Sequence, residues 1–253
     1  MKKTTAQKDR NSQKQVEASR VARLLAISLG IILATGLIAV QVNNWFMDPA
    51  NLPIRVVKID GQLEYLKKTD LQDTVAPVVT GGYFNIDLQA ITKKAKQLAW
   101  VDEVSVKRVW PDTVLMNITE RQAIARWGEK HLVTASGEVF LPPGKIPEGL
   151  PLIDGPEAMS AEMVKMFEKE KQRFSVLKLT LRELRLNKRG AWSMKFSQGM
   201  KVALGRSELE QRIQRLAENY SAITARGNAL SIDMRYRHGI AVMYEKEAVV
   251  NDA

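Results

Sequence analysis

The chain has 253 residues, 45% hydrophobic and 26% charged, a globular composition with length for two modest domains beside a further segment. It contains no cysteine, which excludes disulfides, thiolate-held zinc and a thiol nucleophile; its two histidines, His131 and His238, read as surface or strand positions. The formal charge is +10, and residues 1–23 carry +5 of it, seven lysines and arginines against two carboxylates, so the remainder is too dispersed to suggest a nucleic-acid-binding face.

From Leu24 to Val42 the sequence LLAISLGIILATGLIAVQV has no charged residue. At about 1.5 Å per residue this stretch spans roughly 28 Å, the thickness of a bilayer's hydrocarbon core. Trp45 and Phe46 stand where an interfacial aromatic anchor belongs, and Arg20 and Arg23 flank the other end. The reading is a transmembrane helix over 24–46, with the basic segment 1–23 in the cytoplasm and everything after Phe46 translocated. A cleavable signal peptide is the competing reading, but its apolar region runs only about 7–15 residues.

A first globular domain is expected over 52–122. Arg55 to Ile59 reads as a strand ending at Gly61. Thr69 and Gln72 have capping-box spacing for a first helix with Leu71, Val75, Val78 and Val79 buried, limited or kinked by Pro77. Gly81-Gly82 makes a loop, and Asp87 can cap a second helix carrying Leu88, Ile91, Ala95 and Leu98. Val104 and Val106 share one strand face. After a turn at Trp110-Pro111-Asp112, Val114, Met116 and Ile118 share another. The order is β-α-α-β-β.

A second domain is expected over 127–246, with 247–253 as a tail. His131–Val133 and Val139–Leu141 flank a hairpin turn, and a proline-rich loop leads to Leu152-Ile153. Ser160 is expected to cap a helix stapled by Met159 and Val164, with Met163, Phe167 and Phe174 inward. Three strands follow, marked by Leu184 and Leu186, by Trp192, Met194 and Phe196, and by Met200, Val202 and Leu204. Ser207 to Glu210 forms a capping box for a final helix with Leu209, Ile213, Leu216, Tyr220 and Ile223 on one stripe, and Gly227 suits its C-terminal side. Leu230, Ile232, Met234 and Tyr236, a turn at His238-Gly239, and Ile240, Val242 and Tyr244 complete the pattern. The fold class is α+β: one transmembrane helix, a β-α-α-β-β domain, then an antiparallel-sheet domain with flanking helices.

A strand near a chain terminus is often an edge strand with unpaired main-chain groups, able to accept a strand from a partner. Candidate partner-binding residues are therefore Arg235, Tyr236, Gly239, Ile240, Val242 and Tyr244, with the two tyrosines as aromatic anchors. Arg189, beside Trp192 on a strand expected to lie next to this one, could meet an acidic partner residue.

The stretch LAWVDEVSVKRVWPDTVLMNITERQAIARW, above all Arg108-Val109-Trp110-Pro111-Asp112 and Glu120 to Trp127, resembles a POTRA domain, specifically that of the FtsQ/DivIB family of bacterial cell-division proteins. The resemblance extends to the basic leader, the anchor and the second domain. It implies a bitopic scaffold of the division septum, anchored in the inner membrane with its C-terminal region periplasmic, that contacts FtsB within a complex with FtsL. The matching stretch for that contact is Arg235 to Tyr244.

No phosphate loop, dinucleotide fingerprint, zinc-hydrolase pattern or Ser-elbow pentapeptide occurs in the sequence, and neither a cofactor nor a metal is expected. Two other readings stay open. A POTRA-bearing transport or assembly factor would be expected to carry tandem POTRA repeats, which the chain does not show, and a cell-wall hydrolase would need a convergent carboxylate pair.

Overall fold

The computed structural model describes residues 27–237 and 239–245. The basic leader, the first residues of the expected anchor, His238 and the tail after Glu245 lie outside the described residues. Helix α1 (Ile27–Met47) has 21 residues and is long and apolar enough to cross a membrane. The described residues group into two compact units. The first runs to Gly61 and adds Lys68–Ala95 and Val104–Ile118; the second holds Gln62–Lys67, Lys96–Glu103 and everything from Thr119.

The first unit is built on β1 (Val56–Asp60), α2 (Lys68–Val75), α3 (Leu88–Ala95) and the greater part of β2 (Val101–Val109) and β3 (Thr113–Glu120), whose outer residues Val101–Glu103 and Thr119-Glu120 belong to the second; the order is the expected β-α-α-β-β. β3 is central, and β1 runs parallel to it from Val56↔Thr113 to Asp60↔Asn117. Val114, Met116 and Ile118 are buried as their alternation requires, together with Leu71, Val75, Ile91 and Ala95 from the helices. The Asp87 carboxylate caps α3, accepting the N–H groups of Gln89 and Ala90 at 2.9 and 3.0 Å. The capping box at Thr69 does not form: α2 already starts at Lys68, and the Thr69 hydroxyl meets the neighbouring Asp70 carboxylate instead. Pro77 sits in a 3-10 turn, Ala76–Val78, that ends the helix. The Trp110–Pro111 peptide at the β2–β3 turn is cis.

The second unit contains β4 (Ala123–Trp127), β5 (His131–Thr134), β6 (Val139–Phe140), β7 (Leu152–Asp154), α4 (Ser160–Ser175), β8 (Leu181–Leu186), β9 (Trp192–Phe196), β10 (Lys201–Gly205), α5 (Leu209–Thr224), β11 (Ala229–Asp233) and β12 (Ala241–Tyr244). They form one sheet in the order β12-β11-β10-β9-β8-β7-β4-β5-β6. The class is α+β as expected, but the sheet is mixed rather than purely antiparallel: β4–β7, β7–β8 and β10–β11 are parallel. The reason lies in the connections, because α4 between β7 and β8 and α5 between β10 and β11 are crossovers, which bring the chain back in the same direction. One apolar core joins Met163, Val164, Phe167 and Phe174 of α4 and Ile213, Leu216 and Ile223 of α5 to the inward residues of the sheet. Strand residues that alternate with these carry a charge ladder, Lys195–Glu183–Arg185–Asp154, with spacings of 3.1–3.3 Å.

Neither expected helix cap in this unit forms. Ser160 is already helical, and its hydroxyl donates to the Gly137 carbonyl at 2.6 Å, tying α4 to the β5–β6 turn. Gly137 has φ +89° there, and a Cβ would come within 2.7 Å of three Ala161 atoms. At α5 the N-cap is Glu208 in the left-handed region, with no side-chain cap bond. The segment Glu64–Leu66 is held by the Glu120 carboxylate, which accepts three main-chain N–H groups at 2.5–2.8 Å. Arg121 donates to the Ala99 carbonyl, pairs with Glu138 at 3.1 Å and lies over the Phe140 ring. Trp100 packs edge-on to Phe140 and stacks on Tyr65.

Candidate partner-binding edge

β12 is the terminal strand of the nine-stranded sheet, paired on one side with β11 in register Asp233↔Ala241, Ile232↔Val242, Ser231↔Met243 and Ala229↔Tyr244. The Glu245 N–H bonds to the Asn228 carbonyl at 2.9 Å, so that residue faces β11. Main-chain groups alternate sides along a strand, so those of Ala241 and Met243 also face β11, while those of Val242 and Tyr244 face the open edge. Among the described residues no strand pairs with that edge. The opposite end of the sheet closes on β6, which has only two residues.

The side chains divide between two faces. Val242, Tyr244 and Ile240 pack against the core, and the Tyr244 hydroxyl donates to the Ile223 carbonyl at 3.2 Å. Tyr244 therefore fastens β12 to α5, and only its main chain is free to meet a partner. Met243 stands on the other face, 59% exposed, next to exposed Ala241 and Leu230. Leu230 was expected to point inward with Ile232 and Met234. It points out because β11 bulges between Ala229 and Ser231, which breaks the alternation. Met243 is a candidate contact that was not among the expected residues, although its place out of phase with Val242 and Tyr244 is the signal that could have found it.

Tyr236 lies beyond β11 in the turn before β12 and is 59% exposed. Arg215 of α5 donates to the carbonyl of Arg237 at 2.8 Å and holds this turn against the helix. Gly239 has open space around its Cα. Arg235 grips the Asp233 carboxylate through Nε and Nη2 at 2.5–3.0 Å, and these hydrogen bonds hold that carboxyl below its ordinary range despite its partial burial. Gly205, at φ +82°, clears room for this corner, since a Cβ there would lie 2.6 Å from Arg212 Nη1 and 3.2 Å from Arg235 Cγ. Arg212 is buried and donates to the Leu204 carbonyl. Neither Arg212 nor Arg215 stood out in the sequence, because each occupies a helix position that reads as an ordinary surface arginine.

Arg189 and Trp192 are not on a strand next to β12. β10 and β11 intervene, and Trp192 is 9% exposed, a core residue. Trp192 pairs with Gly205, whose neighbourhood includes Arg235, so Arg189 in the β8–β9 turn belongs to the same end of the sheet. That end carries exposed Arg189, Arg206, Arg235 and Arg237. It is a cationic rim beside an open strand edge, suited to an extended, acidic segment. Among the described residues no group of three or more His, Asp or Glu is placed to hold a metal ion.

Comparison with known proteins gives two family matches: a POTRA domain of FtsQ type over residues 52–121, and the C-terminal region of cell division protein FtsQ/DivIB over residues 125–235. β12 lies beyond the second match. The chain is 32% identical over 198 residues to the cell division protein FtsQ of Allochromatium vinosum, covering 78% of this chain and 80% of the relative. It is 30% identical over 228 residues to that of Coxiella burnetii, covering 89% and 91%. It is 31% identical over 239 residues to that of Burkholderia pseudomallei, covering 92% and 93%.

Proposed function

The chain belongs to the FtsQ/DivIB family of bacterial cell-division proteins, and from that premise we propose that it is a non-enzymatic scaffold that recruits FtsB, and through it FtsL, by strand addition to β12. α1 anchors it in the inner membrane, with the basic leader in the cytoplasm and both globular units in the periplasm at the septum, and the recruited pair links early division proteins to septal wall synthesis. The observation that carries the reading is the open edge of β12, whose Val242 and Tyr244 main-chain groups face away from β11. The arginines at the same end of the sheet would complement acidic residues on the added strand.

The test is capture of a purified FtsB periplasmic segment by the full-length chain in nanodiscs. Wild type is compared with Tyr236→Ala, Met243→Glu and a chain truncated after Asp233. The truncated chain should insert in the membrane and capture no FtsB. Undiminished capture by that truncation would sink the strand-addition reading. Tyr244→Phe, which removes only the hydroxyl bond to Ile223, should bind as wild type does.

A further inference from the structure

The end of α1 is not a free tether. The Asn51 side-chain amide donates to the Trp45 carbonyl at 2.9 Å, and that of Asn85 donates to the Met47 carbonyl at 3.0 Å. The Tyr83 N–H bonds to the Leu52 carbonyl at 2.8 Å, and Pro53 bridges to Gly82. Gly82 permits this closeness, since a Cβ there would meet the Leu52 carbonyl oxygen at 2.9 Å. The 81–86 loop of the first unit is thereby clamped to the last turn of the apolar helix.

Along the same line runs a chain of aromatic rings. Trp45 contacts Phe46, Phe46 contacts Phe84, Phe84 contacts Tyr83, and Tyr83 contacts Trp110, each edge-to-face with centroids 5.1–5.5 Å apart. Trp110 is 61% exposed at the β2–β3 turn, flanked by exposed Val109. Exposed Val56 sits at the same end of the sheet, where the N–H groups of Arg55 and Val56 both bond to the Asp112 carbonyl. Large apolar side chains brought together in water on one end of a small unit need a covering surface.

We propose that this surface is the phospholipid bilayer: Phe84 and Trp110 lie in the headgroup layer and dock the first unit onto the membrane that α1 crosses. A helix of 21 residues reaches about 32 Å, so its last turn emerges at the boundary of the hydrocarbon core. Whatever is hydrogen-bonded to Met47 and ring-packed on Phe46 shares that depth. Tryptophan and tyrosine are the side chains that favour it, because an amphipathic ring fits between acyl chains and headgroups. Exposed Arg55 and Lys107 border the patch and can reach lipid phosphates. Continuity with the membrane helix favours lipid over a protein partner as the occupant. The docking rests on the anchor reading and is independent of FtsB binding.

The absence of cysteine makes the test direct, because one introduced thiol is unique. Full-length Val109→Cys, Gly36→Cys and Lys188→Cys chains are nitroxide-labelled and placed in phosphatidylcholine nanodiscs, and collisions with oxygen and with a water-soluble nickel chelate are measured. Position 36 should report hydrocarbon and position 188 water. Position 109 should report the interface, with nickel collisions several-fold below those at 188 and oxygen collisions raised. Adding Phe84→Ser and Trp110→Ser should return 109 to the values of 188 while leaving 36 unchanged. Values at 109 equal to those at 188 in the otherwise native chain would overturn the proposal. So would shielding of 109 from both probes, which marks a protein cover. Water-like values at 36 would remove the anchor itself, a failure visible separately from the other two.

Discussion

Glu120 and Arg121 show how two adjacent charged residues fix a segment distant in sequence. The Glu120 carboxylate satisfies three successive main-chain donors, from Glu64 to Leu66, that no strand or helix serves. Glu120→Ala should therefore cost about 2–4 kcal/mol, since hydrogen bonds to a charged group contribute roughly 1.5–3 kcal/mol each and three share one acceptor. Urea denaturation followed by tryptophan fluorescence measures this, and a loss below about 0.5 kcal/mol, the usual surface value, would contradict it. Asp233 gives a pH prediction. Its carboxyl is held below the ordinary 3.8 by hydrogen bonds from Arg235, so its contribution is complete above that value and disappears as pH falls through the lower, folded-state one. Glu170 has the opposite sign. Burial raises its carboxyl above 4.5, with Arg173 opposing, so acidification from neutral pH through the raised value favours the folded state at this site. In thermal melts between neutral pH and the acid limit, Asp233→Asn should lose less stability below pH 3.8 than wild type, and Glu170→Gln should lack the acid-side gain.

A strand's two sides can be tested separately by placing proline. The Val242 N–H faces the open edge, so Val242→Pro removes a donor that β11 does not use, and edge strands tolerate this. Expected are a near-native melting temperature and FtsB binding weakened about tenfold, the worth of roughly one hydrogen bond. Met243→Pro, one residue on, should instead break the β11 ladder and release β12. Equal binding loss without any stability difference between the two would show the facing to be wrong. Much at this scale was legible in the residues: the β-α-α-β-β order, the α4 and α5 stripes and the buried alternation of β3 follow from periods of 3.6 and 2. Of the helix caps only that of Asp87 was, because Thr69, Ser160 and Ser207 also have the right spacing, and only the three-dimensional setting decides whether a hydroxyl turns to its own helix or to a neighbour. Parallel pairing was missed because the sequence shows a strand, a helix and a strand without showing that the helix is a crossover. The same omission placed Trp192 beside β12, two strands from its true position.

The whole chain carries +10, and the exposed arginines at one end of the second unit's sheet place part of that charge beside the open edge. Association with an acidic segment should therefore slow as salt rises from 0.05 to 0.5 M, by about tenfold or more, with the dissociation rate changing little. Stopped-flow mixing with the FtsB segment checks this, and a salt-independent association rate would remove the arginines from the encounter. Sheet order carries a temporal consequence as well. Among the described residues the strand with the open edge is the last of twelve in sequence, and the strand it pairs with, β11, is reached through the α5 crossover from β10. A chain made from its N-terminus onward cannot present that edge until β10, α5 and β11 are in place. If β12 is the docking strand, as proposed, the edge is a completion signal: a half-made or misfolded copy, though already held in the membrane by its first helix, would have no strand to offer and could not draw a partner to itself.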